Sequence, residues 1–111
     1  MKLARSLGVV LSVGVLIGVA AGPAQANKRI TEYPVPTPYS EPGGIASGPD
    51  GNLWFTEYQG NKIGRVTPSG NVKEVLTPTP ESVPRGITAG PRRTVWFVEQ
   101  SAGKIGAILL P

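Results

Sequence analysis

The sequence contains no cysteine and no histidine among its 111 residues, and only 16% of the residues are charged. Without cysteine the chain has no disulfide framework, no thiolate nucleophile and no cysteine-ligated zinc site. Without histidine it has no Ser-His triad, no imidazole base and no histidine-ligated metal. Any chemistry must therefore come from carboxylates, tyrosine, lysine, arginine, serine or backbone groups, which disfavours most enzyme classes.

Glycine and proline are abundant instead, with 15 and 12 copies. Together they approach the share that is typical of low-complexity chains. Two tryptophans, two phenylalanines and many valines and isoleucines argue against disorder, because disordered chains lack the apolar residues that form a core. The length limits the chain to one small domain.

The N-terminus has the three-part pattern of a bacterial secretory signal peptide. Lys2 and Arg5 precede an apolar run over residues 7–21, and an A-x-A cleavage step follows at residues 24–26. The run is shorter than the roughly 18 residues that suggest a membrane span, and an uncleaved anchor is the alternative. We expect residues 1–26 to be the signal and residues 27–111 to be a secreted, extracellular or periplasmic protein that is free of the membrane after cleavage.

The predicted mature chain carries little net charge. The whole sequence has a formal charge of +4, and loss of the two cations of the signal leaves +2. The remaining cations are scattered along the chain, whereas nucleic-acid backbones require a concentrated basic face. We therefore expect no nucleic-acid partner.

A repeat with a constant offset of 42 residues organises the rest of the sequence. Its matches need no gap, and they place two units at about residues 30–71 and 72–111. The matching groups are Gly44-Ile45 with Gly86-Ile87, Gly48-Pro49 with Gly90-Pro91, Trp54-Phe55 with Trp96-Phe97, Glu57 with Glu99, and Lys62-Ile63-Gly64 with Lys104-Ile105-Gly106.

A full unit reads as four short strands joined by turns, and the second unit is expected to end after its third strand, near Ile108. In the first unit the strands are predicted at residues 44–48, 53–57, 62–67 and 72–76, separated by segments rich in glycine, proline and asparagine. Four antiparallel strands in roughly 40 residues are typical of a β-propeller blade. We therefore predict an all-β fold of about two blades, which is an incomplete propeller.

Two side-chain arrangements follow from this strand assignment. Trp54 and Phe55 are neighbours on one strand and must project from opposite faces, which indicates a blade that is covered on both sides. Glu57 is expected to pair with Lys62 across a hairpin, and Glu99 is expected to pair with Lys104 in the same way. Because both repeats carry this pair, a structural role is favoured over a catalytic one.

The repeated phrases GIASGPDGNLWFTEYQGNKIGRVTPSG and GITAGPRRTVWFVEQSAGKIGAI resemble the streptogramin lyases, the virginiamycin B lyase family. The resemblance covers essentially the whole predicted mature chain and implies units of a seven-bladed propeller. It also implies the family's activity, which confers antibiotic resistance: a Mg²⁺-assisted elimination across the ester bond that closes the ring of type B streptogramins.

The resemblance also implies a set of site residues. The family's base is a histidine that follows a proline and precedes the Gly/Ala-Ile at the start of a blade. That slot holds Gly43 in the first repeat and Arg85 in the second, so no catalytic base is expected, and Arg85 is expected to bind and orient substrate. Two family carboxylates that are associated with the metal fall on Glu41 and Glu57, which makes these the expected Mg²⁺ ligands.

Three interpretations remain open at this stage. The leading one is a secreted, lyase-like propeller segment that has no lyase activity alone, and the main alternative is a non-enzymatic extracellular module that binds a small molecule, glycan or protein. The third is a piece of a longer reading frame that contains further blades. Residues 29–33 match residues 71–75 at the 42-residue offset and are expected to form an outer strand. Since two blades leave strand edges open, we expect missing blades or a head-to-tail homo-oligomer.

Overall fold

A computed structural model describes residues 29–111, so the predicted signal peptide, residues 1–26, lies outside the described residues. The chain divides into two units, residues 1–33 and residues 34–111. In the first unit, Arg29 lies in a turn and residues 30–33 form no regular secondary structure. Between residues 29 and 111 there is no helix with the length and apolar character needed to cross a membrane.

The second unit consists of two antiparallel sheets, the first with four strands and the second with three, each in chain order. This confirms the all-β, blade-type prediction. The strands are β1 Pro42–Ser47, β2 Leu53–Glu57, β3 Lys62–Val66 and β4 Val72–Leu76 in the first sheet, and β5 Pro84–Gly90, β6 Thr94–Glu99 and β7 Lys104–Leu109 in the second.

Glycines with positive φ close the turns between these strands. Gly51 has φ 80° and Gly70 has φ 94°, a region that glycine enters without the steric cost that a Cβ would add. A backbone hydrogen bond closes each turn: the Gly48 N–H donates to the Asn52 carbonyl at 2.8 Å, and the Thr67 N–H donates to the Asn71 carbonyl at 3.0 Å. The two turns therefore lie where the sequence predicts them.

The outer strand predicted at residues 29–33 is not formed. Most of the equivalent segment, residues 71–75, lies in β4, because β3 offers it a complete ladder of backbone partners. No strand among the described residues pairs with residues 29–33 in this way, and an extended segment without a neighbouring ladder does not form a strand.

Trp54 and Phe55 project from opposite faces of β2, and each is only 6% exposed, which confirms the predicted placement of the two rings. A Cβ at Gly48 would overlap the Trp54 indole, and a Cβ at Gly64 would overlap the Phe55 ring. The rings thus lie directly on glycine backbone, which explains why these glycines recur with the aromatic pair. The second sheet repeats both stacks, with Trp96 on Gly90 and Phe97 on Gly106.

The core lies between the two sheets. We call face A of each sheet the one that carries Phe55 or Phe97, and face B the one that carries Trp54 or Trp96. Face B of the first sheet packs on face A of the second, with β5 lying against β1 and β2. The buried cluster consists of Trp54, Ile63, Val95, Phe97 and Leu110.

Candidate functional site

An open cleft of about 360 Å³ lies where β1 and β5 begin. This volume falls within the range of about 300–1,000 Å³ that is usual for small-molecule sites. The cleft is lined by Glu41, Pro42, Gly43, Gly44, Tyr58, Pro84, Arg85 and Gly86. The structure therefore brings together Glu41, Gly43 and Arg85, three of the four positions that the resemblance singles out.

An irregularity repeated at the start of each blade shapes this cleft. The register of β1 shifts between Pro42 and Ile45, and the register of β5 shifts between Pro84 and Ile87. Such bulges redirect the residues inside them and are over-represented beside active sites. The residue before each proline has a positive φ as well, 50° at Glu41 and 55° at the equivalent position in the second repeat. Strained backbone of this kind clusters at ligand sites.

Arg85 is held over an aromatic ring at the edge of the cleft. Its guanidinium carbon lies 4.0 Å from the centroid of the Tyr58 ring, within the distance of a favourable cation–π contact. The guanidinium stays charged at any physiological pH and offers a fork of N–H donors. The cleft therefore presents a fixed cation that can donate hydrogen bonds to a carbonyl, ester or carboxylate oxygen.

Sequence reasoning missed Tyr58. It follows the W-F-T-E strand in the first repeat, and the equivalent position in the second repeat is Gln100. A pattern of residues shared by the two repeats does not mark such a position. A comparison of the points where the two repeats differ would have found it, since Gly43 and Arg85 also differ between the repeats.

Glu57 does not line the cleft, in contrast to Glu41. Its side chain is 0% exposed, and both of its carboxylate oxygens lack a hydrogen-bond partner. Burial raises the pKa of Glu57 to about 8, the charge of the neighbouring Glu74 contributes to the rise, and Lys62 opposes it. Glu57 is therefore mainly protonated at neutral pH.

Glu57 and Lys62 are opposite each other in the β2–β3 register, as predicted, but the ion pair of Lys62 is to a different carboxylate. Lys62 Nζ instead lies 3.9 Å from Glu74 Oε1 and donates to Thr37 Oγ1 at 2.7 Å. Glu74 also accepts from the Thr37 hydroxyl at 3.0 Å. Burial tends to raise the pKa of Glu74, but these neighbours, with Glu57, lower it overall. The charged pair is therefore Lys62 with Glu74.

The second repeat uses its lysine in a similar way. Lys104 Nζ donates to Thr79 Oγ1 at 2.9 Å, and Thr79 is the 42-residue equivalent of Thr37. Glu99 is buried, and one of its carboxylate oxygens has no partner. In both blades the lysine thus connects the proline-rich link to the sheet by a hydrogen bond, and the glutamate of the W-F-x-E strand is buried.

The assignment of Mg²⁺ to Glu41 and Glu57 stays a prediction, and the donor set of this chain fits it poorly. Mg²⁺ is usually held by ionised carboxylates that keep several of its waters. Glu57 is enclosed, mainly protonated and outside the cleft lining. In the described range, no three His, Cys, Asp or Glu side chains come together as a metal site. We assign no chemical step to the metal.

The comparisons with known proteins point in one direction. Residues 18–110 match the family model described as the virginiamycin B lyase family. Curated virginiamycin B lyases from Bacillus licheniformis and Bordetella pertussis are each 52% identical over 44 residues, which is 40% of this chain and 15% of the relative.

Solved structures agree with the sequence matches. One is a catalytically inactive histidine-to-alanine variant of virginiamycin B lyase from Staphylococcus aureus with quinupristin, with a TM-score of 0.68 and 52% identity over 69% of this chain. Another is a streptogramin B lyase, with a TM-score of 0.62 and 42% identity over 73% of this chain. The chain spans only 26% and 30% of these two proteins.

Proposed function

This chain belongs to the virginiamycin B lyase family, and we propose from that premise that it is a secreted propeller segment that binds a type B streptogramin in its cleft and leaves the ring closed. The observation that carries the proposal is the lining of one cleft by both histidine-slot positions, Gly43 and Arg85, together with Glu41. This lining supports a binding cleft that resembles the family's and lacks its base.

The chemistry of the elimination supports this proposal. When the ring of such an ester opens by elimination, a base removes a proton from carbon, a C=C bond forms, and the C–O bond breaks to release a carboxylate. A general base must lie within reach of that proton and be unprotonated near neutral pH. Gly43 has no side chain, and Arg85 is permanently protonated. The slot therefore offers nothing that can accept the proton.

Binding without turnover has support from a relative. The Staphylococcus aureus lyase is described as catalytically inactive when a histidine is replaced by alanine, and its structure is with quinupristin. A propeller of this family can therefore occur together with a streptogramin without converting it to product. In the present chain, the guanidinium of Arg85 would hold a carbonyl of the macrocycle, and the exposed Pro42 would contact its apolar parts.

Calorimetric titration of the purified chain with quinupristin tests the proposal. We expect saturable binding that Arg85→Ala weakens by about 10-fold to 100-fold, since a hydrogen bond to a charged group contributes about 1.5–3 kcal/mol. Lys73→Ala is the matched control, because it removes one cation from an exposed position on β4 outside the cleft lining. We also expect a chelator of Mg²⁺ to leave the affinity unchanged.

Two results would contradict the proposal: no binding by the wild type, or an equal loss of affinity in both variants. The first result would favour the alternative, a non-enzymatic extracellular module for another small molecule or a glycan. The repeated bulges favour that alternative too, since they build a cleft without specifying its ligand.

Export is part of the proposal. Its support is the sequence pattern of Lys2 and Arg5, the apolar run and the A-x-A step. The intact mass of the protein recovered from a bacterial culture should correspond to a chain that begins at Asn27. Recovery of a chain that still carries Met1, or one retained in the cytoplasm, would contradict it.

A further inference from the structure

Two faces of the described sheets are exposed although they carry core-type residues. Face A of the first sheet exposes Ile45, Leu53 and Leu76, and face B of the second sheet exposes Trp96, Val98, Ile105 and Leu109. Ile45 is 63% exposed and Ile105 is 64% exposed. Large contiguous apolar surfaces are rare on monomers and mark interaction sites.

The repeat shows what each exposed face is built to contact. At the 42-residue offset, Ile45 and Leu53 correspond to Ile87 and Val95, which face the core between the sheets from face A of the second sheet. Trp96 and Ile105 correspond to Trp54 and Ile63, which face it from face B of the first sheet. Ile63 is only 1% exposed there. The two exposed faces are therefore the two halves of an interface that the chain already forms internally.

We propose that these halves bind each other between copies of this chain, so that face A of the first sheet of one copy packs on face B of the second sheet of the next. A second copy is the occupant because the chain presents both halves in equal amounts and has the required packing geometry within itself. The contact is heterologous, since different surfaces meet, and such contacts close into rings or continue as open arrays. About three or four copies would give six or eight blades, within the 4–8 of known propellers.

A second feature supports the same arrangement. β7 is an edge strand among the described residues, whereas its equivalent β3 is covered by β4. Residues 30–34 are the 42-residue equivalents of β4, and they form no strand within their own copy. In the proposed assembly these residues of the next copy would pair with β7, because an open edge accepts an added strand. The packing of the first sheet on the second, continued from one copy to the next, thus accounts for both the exposed faces and the open edge.

Size exclusion with light scattering on the full chain, in the processed form that its intact mass defines, tests the proposal. The wild type should have a mass of several copies, rising with concentration. Ile45→Glu and Ile105→Glu each place a carboxylate on one of the two faces at a position that is exposed in the single chain. Each variant alone should therefore form no array, and circular dichroism should show that it remains folded.

A matched control is available at Tyr39, which is 93% exposed. Tyr39→Glu adds the same charge and creates the residue that the second repeat already has at the equivalent position, Glu81. Its assembly should equal that of the wild type. The control separates an effect of the two faces from a general effect of negative charge.

Mixing the two face variants gives the sharpest test. Ile45→Glu keeps face B of the second sheet intact, and Ile105→Glu keeps face A of the first sheet intact. An equimolar mixture should therefore give a particle of two chains, which neither variant forms alone. A wild type that is a single chain at all concentrations, an assembly that Ile45→Glu leaves unchanged, or a mixture without two-chain particles would overturn the proposal.

Discussion

Addition of one methyl group at Gly106 should destabilise the second sheet, whereas the same change at Gly86 should not. A Cβ at Gly106 would overlap the ring of Phe97, far inside the roughly 3.5–4.0 Å at which carbon atoms make contact. Phe97 belongs to the buried cluster between the sheets, so its ring has no free space to enter. At Gly86 the nearest atom to the new Cβ would be Val98 Cγ2 at 3.6 Å, an ordinary contact.

The magnitudes follow from these distances. Overpacking of a core costs about 1–3 kcal/mol, while replacement of glycine by alanine in a strand gains about 0.5–1 kcal/mol in backbone entropy. Gly106→Ala should therefore lower the free energy of unfolding by up to about 2.5 kcal/mol and be about 1–3 kcal/mol less stable than Gly86→Ala. Gly86→Ala should leave it unchanged or raise it by about 0.5–1 kcal/mol.

Urea unfolding followed by tryptophan fluorescence measures both variants. All samples need the same protein concentration, since association links apparent stability to concentration. If Gly106→Ala is as stable as Gly86→Ala, the ring does not lie on the glycine backbone, and our explanation of the repeated Lys-Ile-Gly motif is refuted.

Three further predictions concern single side chains. The pKa of Glu57 is raised from 4.5 to about 8 in the folded chain, so between these pH values the folded state binds a proton that the unfolded state releases. The free energy of unfolding should therefore fall as the pH rises from 4.5 to 8, by no more than about 1.4 kcal/mol per pH unit. Glu57→Gln should remove this slope in a series of urea titrations. Asp50 accepts a hydrogen bond from Trp54 Nε1 at 3.0 Å, so Asp50→Ala should cost about 1 kcal/mol in urea unfolding, and an equal stability would contradict the bond. A Cβ at Gly43 would meet Thr56 Oγ1 at 3.3 Å and no other non-adjacent atom within 4 Å, so a small shift of that hydroxyl admits it. Gly43→His should therefore fold and supply the missing base, with ring-opened streptogramin detected by chromatography, while Gly43→Leu should give none.

The fold could be predicted from the sequence because the repeat marks it twice. Adjacent Trp54 and Phe55 placed a large ring on each face of β2, and the turn glycines marked the strand ends. Both rings are buried and both turns are formed, although Ile45 and Leu53 leave the rest of the Phe55 face exposed. The strand at residues 29–33 was wrong because strand formation depends on a partner edge, which the local sequence does not show. In the same way, the sequence could not show which faces of the two sheets meet.

The site could be predicted only in part. The positions of Gly43, Arg85 and Glu41 in one cleft follow from the equivalence of the two blade starts. The burial of Glu57 could not be predicted, because it depends on the link that carries Thr37 and on the approach of Glu74 from β4. Tyr58 was missed because a repeat pattern marks shared residues such as Pro42 and Pro84, whereas Tyr58 has no counterpart in the second repeat.

Incubation of the wild-type chain with quinupristin and Mg²⁺ tests the central claim most directly. An elimination within a ring leaves the mass unchanged, so the product has to be separated by chromatography and identified by fragmentation. We predict that all of the macrocycle is recovered closed, because the histidine slot holds Gly43. Ring-opened product that disappears with Glu41→Ala would contradict the account and identify Glu41 as the base.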